Sequence, residues 1–293
     1  AGTAVEGSAH LGANKVLEAM AFKASANRTT FRMTRELEKI GATATVRAGR
    51  DYTAFTVSAL RMHTPEAVEM LLDAALNAKL SYWEVSEAVA AAQAQLADEL
   101  KNPSNVITDV LHRAAFDGGL GQPVTLDPSA LNGFTNATLK EYVAAALQSS
   151  KAVLAGAGVG LEQMKELANP LVASSSGNGL SSTSSYAGGS LNVFAASPLT
   201  HVALGFEAKG GLSDPKAAAA AAVVKALLDE GRAVLPRTRK EGVFAAASSF
   251  CHLYKGTGLV GLTASGAPAQ ADALVDAVVK KVESVASGVP EAQ

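Results

Sequence analysis

The sequence predicts an α+β fold made of two copies of one module, each with helices packed on one face of a mixed or antiparallel sheet. The first observation is an order of elements, helix, strand, turn, strand, helix, that occurs at 27–78 and again at 214–286. The second is the stretch 174–189, which is nearly all Ser and Gly, has no apolar period and is typical of a linker. We therefore predict two domains, at 1–173 and at 190–293.

The composition limits the class of protein. The chain has 293 residues, 48% of them hydrophobic and only 5% aromatic, so we expect cores made of Ala, Val and Leu. A net charge of −2 gives no field that would attract nucleic acid, which we exclude as a partner. The single cysteine, Cys251, excludes an internal disulfide, and we expect it to be a buried, inert thiol. The sequence contains no run of about 20 apolar residues, so we predict no membrane span in it.

The first half alternates helices and strands. An opening helix at 12–23 carries Ala13, Leu17 and Met20 on one apolar stripe. On the same helix, Lys15 and Glu18 form an i, i+3 pair, which is worth a few tenths of a kcal/mol when exposed. Periodicity and capping residues then predict helix 27–40, strands 43–48 and 52–60, helices 64–78, 82–100, 103–116 and 135–148, strand 152–155 and helix 161–172.

The second half repeats the pattern after the linker. Asp214 and Pro215 predict the start of a helix, because aspartate is a good N-cap and proline suits the first helical position. The apolar interior of this helix continues to Leu228, and residues 229–240 are predicted to be a loop with a single glycine. The other predicted elements are strands 200–208, 244–253 and 259–264 and helix 268–286.

Other motifs do not indicate a cofactor or a metal. Gly-x-Gly-x-Gly at 156–160 lies between a predicted strand and helix, as in a dinucleotide loop, but Leu161 follows it and the acidic residue expected about 20 positions later is missing. Arg237, Arg239 and Lys240 could touch anionic lipid, yet they lack aromatic neighbours, so a solvated loop is the preferred interpretation. The five histidines have no spacing typical of a zinc site.

The opening helix resembles the pitrilysin-like, mitochondrial processing peptidase family. Active members carry His-x-x-Glu-His there, which supplies two zinc-binding imidazoles and a carboxylate base. The register, fixed without gaps, places Lys15 and Ala19 at the histidine positions and Glu18 at the base position. Gln95 falls at the third ligand position, which is a glutamate in active members. The resemblance continues through the segments 35–42, 50–55, 102–104 and 111–116.

The resemblance implies a degenerate peptidase without zinc, cofactor or catalytic residues. Segments 83–85 and 254–259 are similar to the non-catalytic core subunits of the mitochondrial cytochrome bc1 complex, respiratory complex III. They imply a scaffold on the matrix side of the inner membrane. Its implied partners are a paralogous core subunit, core subunit 1, together with cytochrome b and cytochrome c1, in a dimeric complex that can join a respiratory supercomplex.

Two alternatives within the family remain open. The first is the α-type, non-catalytic subunit of the processing peptidase, which binds presequence peptides with a glycine-rich loop. That loop corresponds to 229–240, where this chain has one glycine and a close approach of backbone to a peptide would need several. The second is an inactive member that acts alone. The family also implies further strands before Ala1 and more chain after Gln293.

Overall fold

The structure, a computed structural model, describes residues 2–148, 151–169, 183–194, 197–238 and 245–287. Its helices and small antiparallel sheets confirm the predicted α+β class. The described helices are α1 (Ala13–Met20), α2 (Thr30–Lys39), α3 (Thr64–Leu76), α4 (Tyr82–Glu99), α5 (Pro103–Ala115), α6 (Asn136–Ala146), α7 (Leu161–Leu167), α8 (Pro215–Thr238) and α9 (Ala271–Ala286). The described strands are β1 (Thr43–Ala48), β2 (Thr53–Ser58), β3 (Phe116–Gly118), β4 (Ser184–Tyr186), β5 (Thr200–Glu207), β6 (Ala246–Leu253) and β7 (Gly258–Gly266).

The chain forms two units, and each unit combines two separate stretches of sequence. The first unit consists of Ala1–Lys101 and Gly118–Ser184, and the second of Asn102–Asp117 and Ser185–Gln293. The helix α5, which the sequence analysis places in the first domain, is therefore part of the second unit. The predicted domain boundaries stay a prediction, and most of the predicted linker at 174–189 lies outside the described residues.

In the first unit, α1 packs against α4 and α6 around one apolar cluster. The helix begins after Gly12, which has a φ of 83° and approaches Leu131 so closely that a Cβ atom would collide with that side chain. Glycine is therefore required at this position. The predicted apolar stripe is confirmed, and the buried side chains of the cluster include Ala13, Val16, Leu17, Met20, Val85, Leu96, Leu139 and Tyr142.

The first unit also contains the predicted hairpin. Strands β1 and β2 pair antiparallel, from Thr43 opposite Ser58 to Ala48 opposite Thr53. One side of the hairpin packs against α2 and α3, because alternate residues along each strand are apolar and point the same way. The cluster on that side contains Met33, Leu37, Ile40, Ala67, Met70 and Ala74, with Ala44 and Val57 against it.

The second unit is built on an antiparallel sheet with the strand order β5, β7, β6. On one face, Leu262 of β7 packs against Leu274 and Val278 of α9. Successive residues of a strand point to opposite faces, so Gly205 of β5 belongs to the other face. A Cβ atom at Gly205 would lie 3.3 Å from Leu111 of α5, which shows that α5 packs there. Among the described residues, no helix is both long enough and apolar enough to span a membrane.

Two predicted elements are wrong. Residues 152–155 do not form a strand, and Val153 is exposed; an apolar run of four residues becomes a strand only if a neighbouring strand supplies hydrogen bonds. Residues 229–238 are helical rather than a loop, because α8 continues to Thr238. Eight of the ten residues in this stretch are compatible with a helix, and neither Gly231 nor Pro236 ends it before Thr238. Residues 239 and 240 lie outside the described residues.

The packing of α9 on the sheet can be tested with two adjacent residues. Leu274 is fully buried, whereas Val275 is 44% exposed. We expect Leu274→Ala to lower the free energy of unfolding by about 2–5 kcal/mol because it leaves a cavity. The matched change Val275→Ala should alter it by less than about 1 kcal/mol. Urea unfolding followed by circular dichroism measures both, and equal losses would contradict this packing.

Candidate functional site

The structure brings together the side chains at three of the four predicted site positions. Lys15 Nζ lies 3.1 Å from Glu18 Oε2 and 2.7 Å from Glu99 Oε1. Gln95 Nε2 donates a hydrogen bond of 2.9 Å to the same oxygen of Glu99. Ala19, the fourth position, packs against the apolar cluster of the first unit. The helices α1 and α4 thus meet at a small polar centre.

Glu99 is the member of this centre that the sequence analysis missed. It lies four residues after Gln95 on α4, so both side chains are on the same face of the helix. The register of the family pointed to Gln95 alone. An acidic residue one turn further along the same face was the signal that could have identified Glu99, and the structure shows that it provides the closer contact to Lys15.

The Lys15–Glu18 pair is not the exposed pair considered from the sequence. The Lys15 side chain is 6% exposed, and those of Glu18 and Glu99 are 18% and 23% exposed. Burying an ammonium group without a counter-ion is costly, so the two carboxylates are what allows it to lie here. Glu18 Oε1 also accepts a hydrogen bond of 3.3 Å from the backbone N–H of Ala48. The centre therefore joins α1, α4 and the end of β1.

A third carboxylate, which is buried, holds the start of α1. Glu6 accepts hydrogen bonds from the backbone N–H groups of Gly12, at 2.8 Å, and Asn14, at 2.7 Å. Burial raises the pKa of Glu6 to about 7, although the two N–H groups act in the opposite direction. The Asn14 side chain is itself bonded to the carbonyl of Gly49 and to the Thr53 hydroxyl. Glu6 belongs to no sequence motif that would have identified it.

The chemistry available at this centre is that of an ion pair. An ammonium, two carboxylates, an amide and a methyl group include no imidazole or thiolate, the groups that bind zinc most readily in proteins. Within the described parts of the chain, no group of three or more His, Cys, Asp or Glu side chains is placed to hold a metal ion. Glu18 accepts hydrogen bonds from Lys15 and Ala48.

Two histidines lie together in the second unit, which their positions in the sequence do not indicate. His112 is fully buried, and its Nδ1 lies 2.7 Å from the carbonyl oxygen of Thr108. A neutral ring that donates there accepts at Nε2, which is 2.6 Å from the Tyr254 hydroxyl. The His252 ring is 5.4 Å from that of His112. These contacts attach α5 to the end of β6.

The remaining motifs give no site. The glycines at 156–160 precede α7, but the strand that a dinucleotide loop requires is not formed before them. Cys251 is half-buried rather than buried, because it lies on β6 at the edge of the sheet, and burial raises the pKa of its thiol. Arg237 is on the helical backbone of α8, and Arg239 and Lys240 lie outside the described residues.

Comparison with known protein families gives a match along almost the whole chain. Residues 1–129 match the family described as Insulinase (Peptidase family M16), and residues 133–293 match the Peptidase M16 inactive domain. The chain belongs to peptidase family M16. The family predicted from the sequence is therefore confirmed, and an M16 chain with an inactive second domain accounts for the repeated order of elements.

Individual relatives of this M16 chain come from both subunit types considered above. It is 30% identical to the mitochondrial-processing peptidase subunit alpha of Solanum tuberosum, over 98% of this chain and 60% of the relative. It is 26% identical to the cytochrome b-c1 complex subunit 2 of Homo sapiens, over 98% of this chain and 66% of the relative. The chain thus spans less than two thirds of the length of either relative.

Removing the buried cation should destabilise the M16 chain. We expect Lys15→Met to lower the free energy of unfolding by about 2–4 kcal/mol, because Glu18 and Glu99 lose their counter-ion while they are only partly hydrated. The control is Lys101→Met, which removes an exposed ion pair of 2.6 Å with Asp98 and should cost less than about 1 kcal/mol. Urea unfolding compares them, and a loss no larger than that of the control would show that the buried pair is unimportant.

Glu6 should make stability depend on pH. Its pKa is about 7 in the folded chain, above the ordinary value of 4.5, so the folded state favours the protonated carboxyl. This contribution is fully present below pH 4.5 and is lost as the pH rises through about 7. Compared with Glu6→Gln, which does not titrate, the original chain should lose up to about 3 kcal/mol of unfolding free energy across this range. Chemical unfolding at several pH values measures the difference, which would be constant if Glu6 did not titrate there.

Proposed function

We propose that this M16 chain is a non-catalytic scaffold subunit of a mitochondrial assembly. The observation that carries the proposal is the buried Lys15 ammonium between Glu18 and Glu99. In the register of active relatives, Lys15 stands where a histidine would bind zinc, and a positive charge there repels a metal ion and offers no lone pair. Glu18, at the base position, accepts hydrogen bonds from Lys15 and from the backbone of Ala48, so both of its carboxylate oxygens are engaged within the chain.

The first candidate assembly is respiratory complex III, in which the chain would be a core subunit of the core protein 2 type. Segments 83–85 and 254–259 support it, as does the similarity to subunit 2 of the human complex. Subunit 1 of the Bos taurus complex is 30% identical over 57% of this chain. In this role the chain would lie on the matrix side of the inner membrane and pack against core subunit 1, cytochrome b and cytochrome c1.

The second candidate is the α-type subunit of the processing peptidase, which would bind presequence peptides beside a catalytic partner. The higher identity favours it, at 30% against 26% for subunit 2 of complex III. The sequence argument against it relied on a glycine-poor loop at 229–240. That argument loses its basis because the backbone is helical as far as Thr238.

Purification of the tagged chain from mitochondria, with mass spectrometry of what accompanies it, tests the scaffold proposal and separates the candidates. Membrane subunits with the absorption of haem, together with a paralogous M16 subunit, would support complex III. A soluble pair that cleaves presequence peptides would support the processing peptidase. Recovery of the chain without any M16 partner would contradict the scaffold proposal.

Zinc binding tests the assignment of the site. We expect the purified chain to hold no stoichiometric zinc, and the triple variant Lys15→His, Ala19→His and Gln95→Glu to gain it, because two imidazoles and a carboxylate then converge. The single variant Lys15→His is the control and should gain none. Metal analysis after purification without chelators measures zinc per chain. If the unmodified chain holds zinc through these positions, or the triple variant gains none, the register is wrong.

A further inference from the structure

Three aromatic side chains project from the first unit where α2 and α4 begin. Phe31 is 72% exposed, Tyr82 is 70% exposed and Trp83 is 69% exposed. The chain is poor in aromatic residues, at 5%, so their concentration at two helix starts is a distinctive feature. Tyrosine and tryptophan combine an apolar ring with a hydrogen-bonding edge, and such rings favour boundaries between an apolar and an aqueous phase.

The helix starts that carry these side chains are joined to each other by a hydrogen bond. Thr30 Oγ1, in the first turn of α2, donates a hydrogen bond of 2.5 Å to Glu84 Oε1 in the first turn of α4. Met33 of α2 and Val85 of α4 are buried in the apolar clusters of the first unit. The aromatic side chains therefore belong to two joined helix starts, and their exposure is a property of the folded unit.

Unpaired positive charges accompany the aromatic rings. The guanidinium of Arg35 lies 5.6 Å from the centre of the Phe31 ring, and Lys79 is exposed three residues before α4. Neither has an ion-pair partner among the residues that the structure describes. Glu87 of α4 is already paired with Lys23, at 3.2 Å. Glu84 is buried, and Glu38 is exposed one turn after Arg35. The surface formed by Phe31, Arg35, Lys79, Tyr82 and Trp83, the aromatic–basic surface, carries the positive charges of Arg35 and Lys79.

We propose that the aromatic–basic surface binds the headgroup layer of an anionic phospholipid bilayer. Tryptophan and tyrosine are enriched at the level of the headgroups, where the ring meets the acyl chains and the polar edge meets water. Each lysine or arginine close to an anionic membrane surface raises the binding constant roughly five-fold. The surface offers both kinds of contact, and Arg35 lies over the Phe31 ring. The proposal does not depend on which of the two assemblies the chain joins.

In the sequence, the basic residues Arg237, Arg239 and Lys240 lack aromatic neighbours, which is why a solvated loop was the preferred interpretation there. On the aromatic–basic surface, Phe31 and Arg35 come from one helix, whereas Tyr82 and Trp83 come from another, about 50 residues later. Only the folded structure, through the Thr30–Glu84 hydrogen bond, joins them.

The chain carries its own probe, because Trp83 is its single tryptophan. The full chain is titrated with phosphatidylcholine vesicles, with and without phosphatidylglycerol, while tryptophan emission is recorded. We expect a blue shift that requires phosphatidylglycerol and weakens as salt is added. The double variant Arg35→Ala/Lys79→Ala should bind at least about ten-fold more weakly, and Phe31→Ala/Tyr82→Ala should lose about ten-fold through reduced apolar burial.

Matched variants outside the surface are Lys101→Ala, at the far end of α4, and Met62→Ala, an equally exposed apolar side chain. Both should bind vesicles like the original chain, and circular dichroism checks that every variant is folded. The proposal is overturned if neither vesicle type shifts the emission, if phosphatidylcholine alone binds equally well, or if the surface variants bind like the controls. In any of these cases the surface would be assigned to a protein partner instead.

Discussion

The first unit depends on the neutralisation of one buried ammonium group. Helix α1 has only eight residues, fewer than an isolated helix needs to be stable in water. It is held instead by contacts near its N-terminal end, because Glu6 binds the N–H groups of Gly12 and Asn14, and Lys15, the next residue, joins the helix to Glu99 of α4. Apolar packing and these polar contacts together fix the position of the helix.

In our proposal, the same centre takes the structural place that a bound metal has in active members of the M16 family. A metal ion bound between two helices joins them through its ligands, and an ammonium can do so through several hydrogen bonds. Lys15 donates to carboxylates from α1 and α4, and Glu18 extends the connection to the backbone of β1 at Ala48. In our proposal the chain keeps the connection between its elements while it gives up catalysis.

Local patterns in the sequence predicted most of the elements, whereas contacts between distant segments could not be predicted. The hairpin at 43–58 and the helix at 82–99 follow from the periodic spacing of apolar residues within each segment, which does not depend on contacts with the rest of the chain. Glu99 lies 84 residues from Lys15, and His112 lies 142 residues from Tyr254, so only the fold brings these partners together. The partners of Glu6 are six and eight residues away, but no periodic pattern predicts the bend that joins them. The strand predicted at 152–155 does not form, because a strand also needs a pairing partner from another segment, and the local apolar pattern does not show whether one is present.

The position of α5 has a consequence for how the protein is made. Leu111 and His112 of α5 pack against residues of the second unit. Strand β5, against which α5 packs, comes much later in the chain than α5 itself. At synthesis rates of roughly 5–20 residues per second, α5 leaves the ribosome several seconds before the strands that will cover it. The nascent chain therefore passes through a period with an uncovered helix face, in which chaperone protection would matter most. For the same reason, no single cut in the chain can separate the two units intact.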